Sequence, residues 1–337
     1  MSTEKLPLIS VVLPVYNGEG YLRESVDSIL NQTFSDFEFI ILNDGSTDRS
    51  EDVILSYKDP RIKYHKHLNC GLAATLNKGI DLAKGKYIAR QDQDDISLPE
   101  RLQKQIDFME SNPTVALLGT NAEIINEKSQ SLQRFLNHAA NSDILKFDLL
   151  FDNPFVHSSI MFRKAVIEIS GNYMVSKEFF EDHNLWSRMA RQAPIANLPD
   201  CLVKYREVST SISRTIDDYK MRVRNQSNLN IKYYCTDLET EKINKFTDYI
   251  YGLADYGDYK KTLNLIREVL EQIVNSFSKK ENINKKIFED RVLVQLLNFK
   301  RHCYNKVIFS DSYSVMQKTG ARIKRKIMFL RYGKLLH

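Results

Sequence analysis

The 337-residue chain has only four cysteines, Cys70, Cys201, Cys235 and Cys303, scattered and without a CxxC pair, and no histidine is expected to join them at zinc spacing. Neither a disulfide framework nor a structural zinc is expected, and a reducing compartment fits. No stretch reaches the ~18 apolar residues of a membrane span. The first apolar run follows Glu4 and Lys5 and is broken by Pro14 and Asn17, which reads as a buried strand and not as a signal peptide. A strong charge of one sign is also missing. The formal net charge is +5, which by itself argues neither for nor against nucleic acid; no nucleic-acid partner is expected, because the basic residues form one terminal cluster without a recognition module. There is no internal repeat and no low-complexity linker. With 42% hydrophobic residues, the chain can bury one main core and carry an appended region.

What is present alternates. Leu8 to Leu13 is a continuous apolar run ending at Pro14, and Leu22, Val26, Ile29 and Leu30 then recur at helical spacing, which predicts a strand and an amphipathic helix. Phe37 to Leu42 reads as a second strand, ending in Asn43-Asp44-Gly45-Ser46, and Asp52 to Tyr57 as a second helix. Ile62 and Tyr64 mark a third strand, Leu72 to Ala83 a helix, and Lys86 to Arg90 a fourth strand. The alternation predicts an α/β fold with a mostly parallel central sheet and helices on both faces. Ligands of such sheets gather at the carboxyl ends of the strands, where Asn17, Asp44 and Asp92 each fall. Beyond Thr215 glycine is sparse and Leu263, Ile266, Val269, Leu270 and Ile273 follow a helical period. A main domain over 1–214 and a helical region over 215–337 are therefore expected. The segment from Ala321 to His337 carries Arg322, Lys324, Arg325, Lys326, Arg331 and Lys334 and no acid. It suits an anionic membrane surface, or equally a solvated tail or a helix packed on the body.

The most informative stretch is Arg90-Gln91-Asp92-Gln93-Asp94-Asp95, which follows the apolar Tyr87-Ile88-Ala89. If the chain is still extended here, Asp92 and Asp94 share a face and Asp95 takes the other. A magnesium-like ion held by one or two carboxylates completes its shell with water and substrate phosphate, which points to a phosphorylated ligand. A calcium loop is excluded, because Ile96 and Ser97 stand where an oxygen ligand and the turn glycine belong and Gln103 replaces the closing Glu. The plain alternative is a solvated acidic turn before the helix that begins near Pro99.

Four motifs in order decide between these readings: Pro14-Val15-Tyr16-Asn17-Gly18-Glu19, Asn43-Asp44-Gly45-Ser46-Thr47-Asp48, Gly71-Leu72-Ala73-Ala74 with Asn77, and Asp92-Gln93-Asp94-Asp95. Together they resemble family 2 glycosyltransferases over roughly residues 7–206. The resemblance implies a GT-A fold, a nucleotide-sugar donor, a divalent ion (Mn2+ or Mg2+) and inversion at the anomeric carbon. It implies that Pro14, Tyr16, Asn17, Glu19, Asp44, Asn77 and Asp92 bind the nucleotide sugar. Asp44 would accept the uracil imide hydrogen in a charge-assisted bond, although before Gly45 it also suits an Asx-turn. Asp92 and Asp94 match the metal-binding Asp-x-Asp, whose ion neutralises charge on the leaving group.

Phe179-Phe180-Glu181-Asp182-His183-Asn184-Leu185-Trp186 resembles the family's acidic pair at a helix start, with Asp182 as the base that deprotonates the acceptor hydroxyl. Neighbouring residues do not share a helix face, so only one of Glu181 and Asp182 can act; both also suit a helix N-terminus. The sequence departs from the commoner family pattern at His183 and Asn184, which bears on acceptor identity. His157-Ser158-Ser159 matches a segment on the acceptor side, with His157 and Glu181 as its candidate residues. Gln91 and Gln93 stand where apolar residues are common and are candidates for donor choice.

Four other readings compete with this one. Gly18-Glu19-Gly20-Tyr21-Leu22-Arg23 nearly matches a dinucleotide fingerprint, and Asp44 closes the second strand, as in an NAD-dependent oxidoreductase. Arg23 stands where Gly or Ala allows close packing, and the acidic cluster has no part in hydride transfer. A non-catalytic nucleotide-sugar-binding protein is disfavoured by the intact Asp92, Asp94 and Asp182. A nucleotidyltransferase lacks its Gly-rich phosphate loop, and a processive synthase lacks its Gln-x-x-Arg-Trp signature and its membrane spans. The expected activity is transfer of a hexose or N-acetylhexosamine, one per encounter, from a UDP-sugar to a glycan acceptor, lipid-linked, in capsule, O-antigen or exopolysaccharide synthesis. A cytoplasmic location, peripheral to the inner membrane face, is expected with it.

Overall fold

The computed structural model describes residues 6–208, 218–255, 257–309 and 315–332. The expected boundary at 214/215 and Lys334 of the basic tail lie outside the described residues. The chain forms two compact units, Met1–Lys146 with Asn153–Asp217, and Phe147–Asp152 with Asp218–His337.

The first unit opens with β1 (Ile9–Val15), α1 (Leu22–Leu30), β2 (Phe37–Asp44), α2 (Ser50–Leu55), β3 (Ile62–His67), α3 (Leu72–Leu82) and β4 (Tyr87–Arg90). These are the elements read from the sequence. β1 and β2 are buried along their whole length, as strands covered on both faces must be. Ile9, Val11, Leu13 and Val15 share one core cluster with Val26 and Ile29 of α1 and with Phe39 and Ile41 of β2. Each such side chain contributes about 1.5–3 kcal/mol on burial.

The unit continues through β5 (Ile96–Ser97), α4 (Arg101–Ser111), β6 (Leu117–Ile125), β7 (Ser131–Leu136), α5 (Ser142–Asp148), a 3-10 turn (His157–Ser159), β8 (Met161–Arg163), α6 (Ala165–Ser170), α7 (Glu181–Ala190) and β9 (Ile195–Arg206). The sheet order is β3-β2-β1-β4-β8-β6-β9-β5, with β7 paired to β6. The first four strands are parallel. From β8 onward the pairing is mixed: β8 runs antiparallel to β4 and β6, and β9 runs parallel to β6. This is a curled α/β sheet with its parallel half at the N-terminus. The carboxyl ends of β1, β2 and β4 therefore lie side by side.

The second unit is helical: α8 (Tyr219–Tyr234), α9 (Thr240–Ile250), α10 (Tyr259–Glu281), α11 (Glu289–Phe309) and α12 (Val315–Tyr332). Ile266, Val269, Leu270 and Ile273 form the buried stripe of α10. Asp258 caps this helix by accepting from the Lys260 and Lys261 amides, and Asn282 closes it in the left-handed region at φ 57°, each a standard terminus for a helix of this length. Phe147, Phe151, Phe246, Phe277 and Phe288 fill the core of this unit. Among the described residues no helix is long and apolar enough to cross a membrane.

Candidate functional site

The loops after β1 and β2 are fastened to each other. Asn17 adopts a left-handed backbone at φ 49°, and its amide donates to Ser46 Oγ at 3.1 Å, while its Oδ1 accepts from the Thr47 amide at 2.8 Å. The Gly18 amide donates to Ser50 Oγ at 2.9 Å and the Glu19 amide to Asp48 Oδ2 at 3.0 Å. Glu19 in turn accepts from the Arg49 amide at 2.8 Å, so it caps α2 and not its own helix. The first two amides of the dinucleotide-like fingerprint, those of Gly18 and Glu19, are thereby spent on the side chains of Ser50 and Asp48. Tyr16 is 48% exposed beyond the end of β1, whereas Pro14 is buried within the strand.

Asp44, at the end of β2, is 4% exposed. Its Oδ1 accepts from the Cys70 amide at 2.7 Å and its Oδ2 from the Gly71 amide at 3.0 Å. It therefore holds the loop that starts α3, and the Asx-type turn belongs to its neighbour: Asn43 Oδ1 accepts from the Ser46 amide at 2.8 Å. Oδ1 is also 3.3 Å from His67 Nδ1, whereas Oδ2 still has a second lone pair for a ligand. Asn77 is committed within the fold, its amide pairing at 2.9 Å with both N and O of Tyr173.

β4 ends at Arg90, and residues 91–95 leave the strand with a turn at 93–94, so the strand alternation considered for the acidic cluster does not apply. Asp95 points inward and is 1% exposed; it accepts from the Ser158 hydroxyl and, at 2.8 Å, from the Arg206 amide. Arg90 is 1% exposed and its Nη2 donates to Asp92 Oδ1 at 2.5 Å. The Asp94 carboxylate accepts from its own backbone amide. Its backbone oxygen accepts from Arg206 Nε at 2.7 Å, an arginine that also reaches Glu24 and Ser129. Burial first, and the Asp92 charge second, push the Asp94 carboxyl up to about 6. Arg90 and Arg206 offset only part of this rise, and a divalent cation bound between the two carboxylates would offset the rest, so the residues fit the ion that the sequence implies.

The two glutamines of the cluster are structural in their contacts. Gln93 pairs with the backbone of Tyr16, its Oε1 accepting at 2.9 Å and its Nε2 donating at 3.1 Å. A Cβ on Gly18 would stand 2.4 Å from that Oε1, so the glycine makes room for the clamp. Gln91 is fully buried and donates to Ser25 Oγ and to the Asp95 carbonyl. Arg101 was not legible as a site residue. It is fully buried, and its five N–H groups meet Gln105 Oε1, Gln91 Oε1, Ser97 Oγ, and the Arg90 and Ile160 carbonyls at 2.7–3.2 Å.

Asp182 lies in the first turn of α7. Its Oδ2 accepts from Asn153 Nδ2 at 2.7 Å and its Oδ1 from the His183 amide at 2.6 Å. Burial, then the adjacent Glu181 charge, raises its carboxyl to about 7; Asp92 adds to the rise and Arg90 opposes it. Asp182 thus shares an electrostatic neighbourhood with the cluster after β4. His183 and Asn184 face inward, 1% and 4% exposed, so the departures from the family pattern fall on packing positions. His157 Nε2 lies 3.1 Å from the Tyr173 hydroxyl, and its ring meets Trp186 edge-on at 5.9 Å. Burial, helped by the Arg90 charge, holds its imidazole well below the usual range, and hence neutral.

The pattern of glycosyltransferases is matched at the level of the whole domain. The model of the family described as "Glycosyl transferase family 2" matches residues 10–182. The chain belongs to glycosyltransferase family 2. An uncharacterized glycosyltransferase of Haemophilus influenzae is 30% identical over 82% of this chain and 88% of its own. The O-antigen biosynthesis glycosyltransferase WbnJ of Escherichia coli is 36% identical over 61% of this chain and 82% of its own. The amylovoran biosynthesis glycosyltransferase AmsE of Erwinia amylovora is 34% identical over 61% and 79%. The family therefore includes surface-polysaccharide enzymes among the relatives of this glycosyltransferase. Among solved structures, Staphylococcus aureus TarS 1–349 in complex with UDP-GlcNAc superposes with a TM-score of 0.59 at 15% identity, over 87% of this chain and 90% of that one. The mannosyltransferase PcManGT of Pyrobaculum calidifontis, in complex with GDP-Man and Mn2+, gives 0.51 at 14% identity over 96% and 88%. Both likenesses concern the fold, which is GT-A-like.

Proposed function

We propose that this glycosyltransferase moves a hexose or N-acetylhexosamine from a UDP-sugar to a glycan acceptor, with a divalent ion and with inversion, in surface-polysaccharide synthesis. The observation that carries the reading is the shared environment of Asp92, Asp94 and Asp182 around the buried Arg90. Asp92 and Asp94 would hold Mn2+ or Mg2+, and the ion would neutralise charge on the departing diphosphate. Tyr16 offers an exposed ring to the base, with Asp44 as an acceptor for an imide hydrogen. Pro14, Asn17, Glu19 and Asn77 shape the nucleotide side through the loops they hold. Asp182 is the base; direct displacement requires it on the face opposite the leaving group. His157, neutral, and Glu181 border the acceptor. UDP-GlcNAc in TarS supports a uridine donor, and Mn2+ in PcManGT supports the ion.

Titrating UDP and GDP into the protein with and without Mn2+ tests this. UDP is expected to bind at least tenfold more tightly with Mn2+, and the gain should vanish in Asp94→Ala. Equal binding with and without the ion, in both proteins, sinks the metal part; preference for GDP changes the donor.

A lipid-linked acceptor at the inner membrane face would suit α12, where Arg322, Lys324 and Lys326 are exposed beside Ile323 at 55% exposure. Replacing these three basic residues by Gln is expected to release the protein from anionic vesicles, since each contributes about 1 kcal/mol near such a surface. Unchanged sedimentation with vesicles would remove the membrane from the reading.

A further inference from the structure

We infer that Asp44, His67 and Cys70 form a second cation site, selective for zinc-class ions and chemically distinct from the Asp92–Asp94 pair. Parallel pairing of β2 with β3 sets Asp44 directly opposite His67 in register. The chain then turns so that Cys70 arrives three residues later, with its amide on Asp44 Oδ1 at 2.7 Å. His67 Nδ1 is 3.3 Å from Asp44 Oδ1 and 3.7 Å from Cys70 Sγ, and one ligand atom from each residue lies within 4.8 Å of the others. In a tetrahedral zinc site, with bonds of about 2.0–2.1 Å to nitrogen and oxygen and about 2.3 Å to sulfur, ligand atoms stand roughly 3.3–3.6 Å apart.

The same imidazole nitrogen faces both partners and also lies 2.9 Å from the Leu68 carbonyl, a contact it gives up when it ligates a cation. A nucleophile–histidine–acid relay needs opposite ring nitrogens, so the trio is not a hydrolytic triad. Three donors converging on one point suit a cation. A thiolate, an imidazole and one carboxylate favour zinc-class ions over Mg2+ or Ca2+, which take oxygen. Asp44 is nearly buried while Cys70 is exposed, so a fourth position opens to solvent. Lys78 Nζ approaches Cys70 Sγ from outside at 3.4 Å and has to give way or remain as an outer donor. Because Asp44 belongs to the nucleotide side, zinc is expected to compete with UDP; this part rests on the function proposed above.

The test uses the full chain and Co2+ as a spectroscopic probe. A thiolate-to-cobalt charge-transfer band is expected in the wild type, absent in Cys70→Ser, with at least tenfold weaker Co2+ binding in His67→Ala. Absence of the band, or its survival in Cys70→Ser, overturns the site. Excess Zn2+ should weaken UDP binding at least tenfold in the wild type and leave Cys70→Ser unaffected. UDP binding indifferent to zinc overturns the overlap with the nucleotide. Failure of UDP to bind in Mn2+ without zinc overturns the transferase reading instead and leaves the cobalt result standing.

Discussion

Replacing Asp182 by Asn is expected to lower turnover by about 10²–10⁴, the range a positioned general base supplies, while UDP binding stays within a factor of two or so of wild type, since the side chain is assigned to the acceptor and not to the donor. An amide keeps the oxygen that accepts from the His183 amide but turns an NH2 toward Asn153, whose own amide has to flip to accept from it. The pH profile gives an independent reading. The base must be deprotonated, and burial with Glu181 raises the Asp182 carboxyl to about 7, so kcat/KM should climb about tenfold per pH unit below that value and level off above it. Glu181→Gln removes the second cause of the rise and should move the limb to lower pH. His157 cannot supply that limb, because its imidazole is held well below the usual range. A limb near pH 7 that persists in the residual activity of Asp182→Asn would show that another group is the base.

The parallel half of the sheet was legible because each strand is a bounded apolar run and each crossover helix carries one apolar stripe. β1, β2, β3 and β4 are found where the sequence places them. The mixed half was not. β9 pairs with β6 from the far end of the domain, and no local period encodes a partner so distant. At the site, the acidic residues stand out by chemistry alone, whereas what holds them does not. Arg206 reaches Asp94 and Glu24 through folding, and Gln93 closes on Tyr16 across the sheet end. Asn77 illustrates the converse, a motif residue whose amide is spent on the Tyr173 backbone. Against the expectation of no histidine at zinc spacing, His67 lies three residues before Cys70, and their third partner, Asp44, joins only through the register of β2 and β3.

Arg101 is the least conspicuous residue of the site and the one whose loss should most damage the fold. Its five donors are all matched in a fully buried position, and two of the acceptors are the carbonyls of Arg90 and Ile160. These sit at the end of β4 and just after the His157 turn, so one guanidinium joins the acidic loop to the segment proposed to border the acceptor. Burial, with the Arg90 charge, pulls its group down to about 9, and Asp95 and Asp92 pull it back, so it remains charged at neutral pH. Its positive charge also offsets the crowded carboxylates beside it. Arg101→Ala leaves those acceptors unmet and the acids uncompensated, a loss on the order of 3–5 kcal/mol. For a domain of this size that is roughly a 10 °C fall in the first thermal transition. Arg101→Lys keeps the charge but has three donors and no planar fork, so it should recover less than half of the loss. Arg101→Met separates the two effects, because it fills the space with apolar atoms and restores no hydrogen bond. If Arg101→Met melts with the wild type, the burial cost of the guanidinium cancels its hydrogen bonds. If it melts with Arg101→Ala, the five matched acceptors are what hold the acidic loop in place.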